Sequence, residues 1–199
     1  MSVDKFTLGL NLPTDPRWVN LAEKSIEDIL IDHAYCEQKA ASSCISLIVQ
    51  FSERTELVEM LAPVVAEEWE HFERVLQKLK ERGFTLGRQR SDEYVKKLNA
   101  SMKKGGTREE QLVERLLINA LIEARSCERF KSLSENLTDP DLQEFYYELM
   151  ISEATHYRNF LGLAKKYMDS EKVMTRWREL LRMEADIIQN IEVRPDRIH

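Results

Sequence analysis

Apolar residues recur at three- and four-residue spacing through four long stretches, each signalling a helix with one buried face. Stepping through Glu37 gives Ile26, Leu30, His33, Ala41, Cys44, Ile48 and Phe51, and predicts a helix over about 25–51. Through Glu68 the stripe reads Leu61, Val64, Val65, His71, Phe72, Val75 and Leu79. Pro63 should kink that helix or begin a new one, so the bundle helix is placed at about 63–82 with Gly83 as its C-terminal cap. Leu112, Leu116, Ala120, Glu123, Cys127 and Phe130 form the third stripe, over 108–135, opened by Thr107 and Glu110 at capping-box spacing. The fourth runs over 140–168 after Thr138-Asp139-Pro140, with Leu142, Phe145, Tyr146, Leu149, Glu153, His156, Phe160 and Leu163 inward.

Shorter elements surround these four. Asp15-Pro16 starts a helical stretch through Trp18 and Leu21, and Ser91 to Met102 predicts a short helix before a Gly105-Gly106 break. Ser170 is the expected cap of a last helix whose packing face holds Val173, Trp177, Leu180 and Leu181, and the tail from Asn190 reads as irregular. The fold class that follows is all-α: a ferritin-like four-helix bundle in one domain, 1–199, with extra N-terminal, crossover and C-terminal helices, the crossover being 83–107.

What changes this picture from a plain helical scaffold is the chemistry on the inward faces. Glu68-Trp69-Glu70-His71 and Glu153-Ala154-Thr155-His156 each place a carboxylate and an imidazole three residues apart, hence on one helix face. A lone glutamate precedes each pair, Glu37 by 31 residues and Glu123 by 30, which suits a helix, a short turn and an antiparallel return. The two halves repeat at an offset of about 86 residues. Glu67, Glu70 and Glu73, by contrast, lie on a solvated stripe, and Glu128 lies on a more polar stripe than Glu123 does. Four carboxylates and two imidazoles on core faces are costly unless cations compensate them. Oxygen and nitrogen ligands without thiolate suit iron or manganese, with open positions for dioxygen or a peroxide. His33 is either a partner of Glu37 or a solvated histidine; Cys127 either lines an oxygen pocket or fills the core.

Composition and charge narrow the setting. Only six Gly and five Pro interrupt 199 residues, and 32% are charged, as a nearly all-helical chain requires. Three cysteines without a CxxC spacing suggest neither a disulfide framework nor a thiolate zinc site, and argue against a peroxidase relative with a rubredoxin-like module. Met1 to Pro16 shows no basic start followed by an apolar core, and no apolar run reaches membrane-span length, so a cytoplasmic protein with no membrane partner is expected. The chain carries a net −6, yet between Lys78 and Arg108 there are ten basic residues against three acidic ones. That stretch is either a solvated connector or a grip for a localised anionic partner, phosphates being the natural one. Its candidate contacts are Arg88, Arg90, Lys96, Lys97, Lys103 and Lys104.

Three segments carry a family resemblance: EEWEHFERVLQKLKERG (Glu67 to Gly83), LIEARSCERFKSL (Leu121 to Leu133) and SEATHYRNFLGLAKKY (Ser152 to Tyr167). They resemble the bacterial tRNA 2-methylthio-isopentenyladenosine hydroxylases of the MiaE type, over about Leu8 to Ile188. The resemblance implies a non-haem di-iron monooxygenase that uses O2 to hydroxylate the isopentenyl group of the modified adenosine beside the tRNA anticodon. It implies two iron ions held by Glu37, Glu68, His71, Glu123, Glu153 and His156, an anticodon stem-loop as partner, and a separate electron-donor reductase. A ferritin-like iron-binding or ferroxidase protein is the alternative that would use the same ligands.

Overall fold

In the computed structural model, residues 8–198 are described, and every regular element among them is a helix. They are α1 (Arg17–Glu23), α2 (Ile26–Gln50), α3 (Thr55–Glu81), α4 (Glu93–Ala100), α5 (Arg108–Asn136), α6 (Pro140–Tyr167) and α7 (Ser170–Asn190). The chain divides into two compact units. One holds the described residues up to Asn20 with Asp92–Val193; the other holds Leu21–Ser91 with Arg194–Ile198.

In the second of these, α2 and α3 pack along their length as a hairpin joined by a tight turn. The Phe51 N–H donates to Leu47 O, the Arg54 N–H donates to Phe51 O, and the Phe51 ring is buried. The expected start at Pro63 is corrected: α3 begins at Thr55 and carries Pro63 inside it. Pro63 removes one backbone bond, but Leu57, Leu61 and Val64 are buried on either side of it, on the stripe that continues to Glu68. Burial on that scale, about 1.5–3 kcal/mol per large aliphatic side chain, offsets the roughly 3 kcal/mol that an interior proline costs.

The other end of α3 closes as the glycine predicts. Gly83 adopts φ +73°, its N–H donates to Lys80 O, and the Phe84 N–H donates to Leu79 O, the paired bonds of a Schellman turn. The irregular tail is also tied down, which its composition does not foretell. The Ile198 N–H donates to the Asp32 carboxylate at 2.8 Å, and the Ile198 side chain is fully buried.

In the first unit, α5 and α6 form the second hairpin, with α4 and α7 packed on it. The capping box is present: the Glu110 N–H donates to Thr107 Oγ1 at 3.1 Å, and the Thr107 N–H donates to Glu110 Oε2 at 2.7 Å. Asp139 caps α6, with Pro140 at its first position. The cap of α7 is Asp169 rather than Ser170, because its carboxylate reaches the Lys172 N–H at 3.1 Å. Two buried ion pairs tie α5 to α7: Arg176 Nε donates to Glu114 at 2.7 Å, and Arg125 Nη2 donates to Glu184 at 2.7 Å. No helix of the described residues is long and apolar enough to cross a membrane.

Candidate metal centre

Each hairpin carries one glutamate on its first helix and a glutamate–histidine pair on its second. On α2 and α3, Glu37, Glu68 and His71 offer ligand atoms that all lie within 4.8 Å of one another. His71 Nδ1 stands 3.6 Å from Glu37 Oε2 and 3.8 Å from Glu68 Oε2. These separations exceed a hydrogen bond and suit two ligands sharing an ion. On α5 and α6, Glu123, Glu153 and His156 likewise lie within 4.8 Å of one another, with His156 Nδ1 3.9 Å from Glu153 Oε2. None of the six residues is more than 5% exposed.

The faces sort as the apolar periodicity requires. Glu67, Glu70 and Glu73 are exposed, although they alternate with ligand candidates on the same helix. Glu128 turns to the N-terminal segment. It accepts the Thr14 N–H at 2.9 Å, the Thr14 hydroxyl at 2.5 Å and Arg125 Nη1 at 3.0 Å.

Electrostatics within the α2/α3 set mark a place for positive charge. Burial alone would raise the Glu37 carboxyl, but His33 and His71 beside it hold it well below the usual carboxylate range. Burial would lower the His71 imidazole, yet Glu37 and Glu68 push it up to about 10. Without metal the two carboxylates therefore retain a proton on His71 as their counter-charge. A divalent cation takes over that role with the same donor atoms, so the residues present fit a metal of the iron or manganese type.

His33 is fully buried, and its Nε2 lies 2.6 Å from Glu37 Oε1, so it is a partner of Glu37 and not a solvated side chain. Cys127 is buried as well. Its thiol donates to Met150 O at 3.3 Å, and desolvation, helped by Glu123 and Glu128, pushes it up to about 12, which keeps it a thiol. Sequence reasoning missed the polar cluster behind Glu123. Arg125 Nε and Nη2 both donate to Glu184 Oε1, Tyr94 Oη donates to the same oxygen at 3.2 Å, and Arg125 Nη2 donates to Leu12 O at 2.9 Å. Arg125, two residues from the inward Glu123 and three from Glu128 on the same helix, was the available signal.

The basic stretch is not uniformly available. Arg90 pairs with Asp28 and, at 3.1 Å, with Asp196. Lys97 pairs with Glu93 and Lys103 with Glu179, each at 3.1 Å, while Arg88, Lys96 and Lys104 are exposed.

The family model described as tRNA-(MS[2]IO[6]A)-hydroxylase (MiaE) matches residues 2–199. The chain belongs to the MiaE family. A MiaE relative from Pseudomonas putida, named tRNA 2-(methylsulfanyl)-N(6)-isopentenyladenosine(37) hydroxylase, is 39% identical over 182 residues, covering 91% of this chain and 87% of the relative. The Salmonella typhimurium protein of the same name is 36% identical over 143 residues, covering 71% of this chain and 50% of that protein. Among solved structures, Protein 43 with aldehyde deformylating oxygenase activity from Synechococcus superposes with a TM-score of 0.90 at 35% identity, over 96% of this chain and 94% of that one. The fold class is all-α and ferritin-like.

Proposed function

We propose that this MiaE-family chain is an O2-dependent di-iron monooxygenase that hydroxylates the isopentenyl group of 2-methylthio-isopentenyladenosine in tRNA. The observation that carries the reading is the pair of buried Glu–Glu–His sets, one on each hairpin, in a chain matched by the family model from residue 2 to 199. On this reading the chain is one di-iron domain, with Glu37, Glu68, His71, Glu123, Glu153 and His156 as the ligands of two iron ions.

Iron, when bound, would supply the activation of dioxygen that hydroxylation of the allylic methyl group demands. The remaining work falls to the protein. The two carboxylates of each hairpin would balance one divalent cation, so two ions would compensate all four. His33 holds the Glu37 carboxylate in one orientation through its 2.6 Å contact. Cys127, kept as a thiol donating to Met150 O, leaves an oxygen-and-nitrogen donor set beside Glu123. The net reaction consumes O2, two electrons and two protons, and releases water with the alcohol; a separate reductase is the electron source. The modified base must leave its stack to be reached. Apart from Arg90, which Asp28 and Asp196 hold, the crossover candidates Arg88, Lys96, Lys97, Lys103 and Lys104 are proposed to serve the phosphates of the anticodon stem-loop. A tRNA substrate implies a cytoplasmic site of action.

Anaerobic loading with ferrous iron, addition of a reductant and ¹⁸O2, and mass analysis of the nucleosides of a tRNA bearing the isopentenyl group test this reading. Incorporation of one labelled oxygen into the isopentenyl group is expected. The similarity to a protein with aldehyde deformylating oxygenase activity favours a second substrate class, so a long-chain aldehyde is run in parallel. Aldehyde turnover with no change in the nucleoside would replace the tRNA reading. Iron oxidation with neither product would leave the ferroxidase alternative.

A further inference from the structure

The Gly105-Gly106 break forms one wall of a cleft of about 330 Å³, where the start of α5 meets the end of α6 and the first turns of α7. Lys103, Lys104, Lys172 and Arg176 line it, and an adjoining cleft of about 410 Å³ shares Lys103, Lys172 and Arg176. Gly105 and Gly106, at φ +81° and +83°, present backbone without side chains at its rim. Its carboxylates are already engaged. Glu110 accepts the Thr107 N–H, and Glu114 accepts Arg176 and the Lys103 N–H. Next to it, Glu179 takes Lys103 Nζ and Arg176 Nη1. Among the described residues, no carboxylate lies within ion-pair distance of the exposed Lys104 and Lys172 ammonium groups. The cleft therefore offers two uncommitted positive charges above bare backbone.

Its distance from the metal ligands of the same unit is informative. Glu123 lies fifteen residues along α5 from Arg108, roughly 22 Å at 1.5 Å per residue. His156 lies eleven residues before the last residue of α6, roughly 16 Å by the same rise. A nucleotide whose base is at Glu123 and His156 cannot place its own phosphate in this cleft. A helical stem leading away from that nucleotide can, because its backbone passes several base pairs further on.

We propose that this cleft is a phosphate subsite for the stem of the RNA substrate, with Lys104 and Lys172 as its contacts. The inference rests on the tRNA reading above and deepens it. It adds Lys172, outside the crossover, and divides the crossover by role, since Arg90 is committed to Asp28 and Asp196. Phosphate contacts of this kind fix the position of the duplex without reading sequence.

The test compares parent, K104Q/K172Q and R178Q/R182Q, the last removing two exposed charges of α7 that line neither cleft. Each is titrated, iron-loaded, with a fluorescent anticodon stem-loop RNA and with the loop sequence alone as a single strand, at several KCl concentrations. K104Q/K172Q is expected to bind the stem-loop about tenfold more weakly. Its log–log salt slope should be shallower by about 1.8, because two phosphate contacts are lost at about 0.9 each on a duplex. Its affinity for the loop alone and its iron content should match the parent, and R178Q/R182Q should match the parent throughout. Equal losses in the two variants, or parent-like binding by K104Q/K172Q, would overturn the cleft assignment while leaving the tRNA reading standing. An equal loss on the loop alone would overturn the assignment to the stem. A parent that holds iron yet binds neither RNA would overturn the tRNA reading, and the subsite with it.

Discussion

His33 Nε2 and Glu37 Oε1 lie 2.6 Å apart, one turn along α2, with both side chains buried. The contact fixes the rotamer of a carboxylate that must present its other oxygen, Oε2, toward His71, 3.6 Å away. Replacing His33 by Ala is expected to lower metal affinity by about 10- to 100-fold, the usual cost of losing a group that orients a ligand. Competition with a chelator during ferrous or manganous titration of the metal-free protein measures it. Unchanged affinity would show that Glu37 needs no such support.

Inward and outward glutamates of α3 should separate cleanly. Glu68→Ala, and equally Glu37→Ala, Glu123→Ala or Glu153→Ala, should lower bound iron, as should His71→Ala and His156→Ala. Glu67→Ala, Glu70→Ala and Glu73→Ala lie on the exposed face; they should leave iron content unchanged and shift stability by no more than about 0.5 kcal/mol. Elemental analysis and urea unfolding read the two outcomes.

Metal uptake should release protons. His71 is pushed up to about 10 by Glu37 and Glu68 against the opposing effect of burial, so at neutral pH it is protonated and must lose that proton to become a ligand. Apparent metal affinity should therefore rise with pH up to about 10, and titration in weak buffer with an indicator dye should show acidification. The linkage for the metal-free protein runs the other way. Its folded-state imidazole holds a proton more tightly than the unfolded one at 6.5, so this contribution to stability is complete below about 6.5 and is lost as pH rises through about 10. Thermal melts across that window should show metal-free protein weakening at alkaline pH and the loaded protein holding.

Glu184→Ala should be strongly destabilising. Arg125 and Glu184 are both fully buried, and removal of the carboxylate takes away the partner held at 2.7 Å, leaving the guanidinium only the Glu128 carboxylate, at 3.0 Å from Nη1, to balance its charge. Breaking a buried pair from one side costs about 3–5 kcal/mol, read as a shift in urea midpoint. Glu179→Ala removes a half-exposed partner of Arg176 and Lys103; the expected change is about 0–1 kcal/mol.

How much of this was legible beforehand follows from the range of the forces involved. The apolar stripes through Leu61, Val64 and Val75, or Leu142, Phe145 and Phe160, are properties of a helix and its period, so they placed all six ligand candidates inward before any tertiary contact was known. The capping box at Thr107 and Glu110 and the turn at Gly83 are complete within three to five residues, and both formed as expected. Pro63 shows where local reasoning stops: its cost is local, but the burial of Leu57 and Leu61 that keeps α3 continuous belongs to the whole packing.

By itself the sequence determined the helices, their inward faces and the donor set, because helical period and ligand chemistry are local. Only the tertiary structure decided that Arg125 meets Glu184 across 59 residues, that Ile198 reaches Asp32 across 166, and that Arg90 is taken by Asp28 and Asp196. With 32% of the chain charged, each arginine has many possible carboxylates, and which one it meets depends on the packed fold and not on any pattern near it.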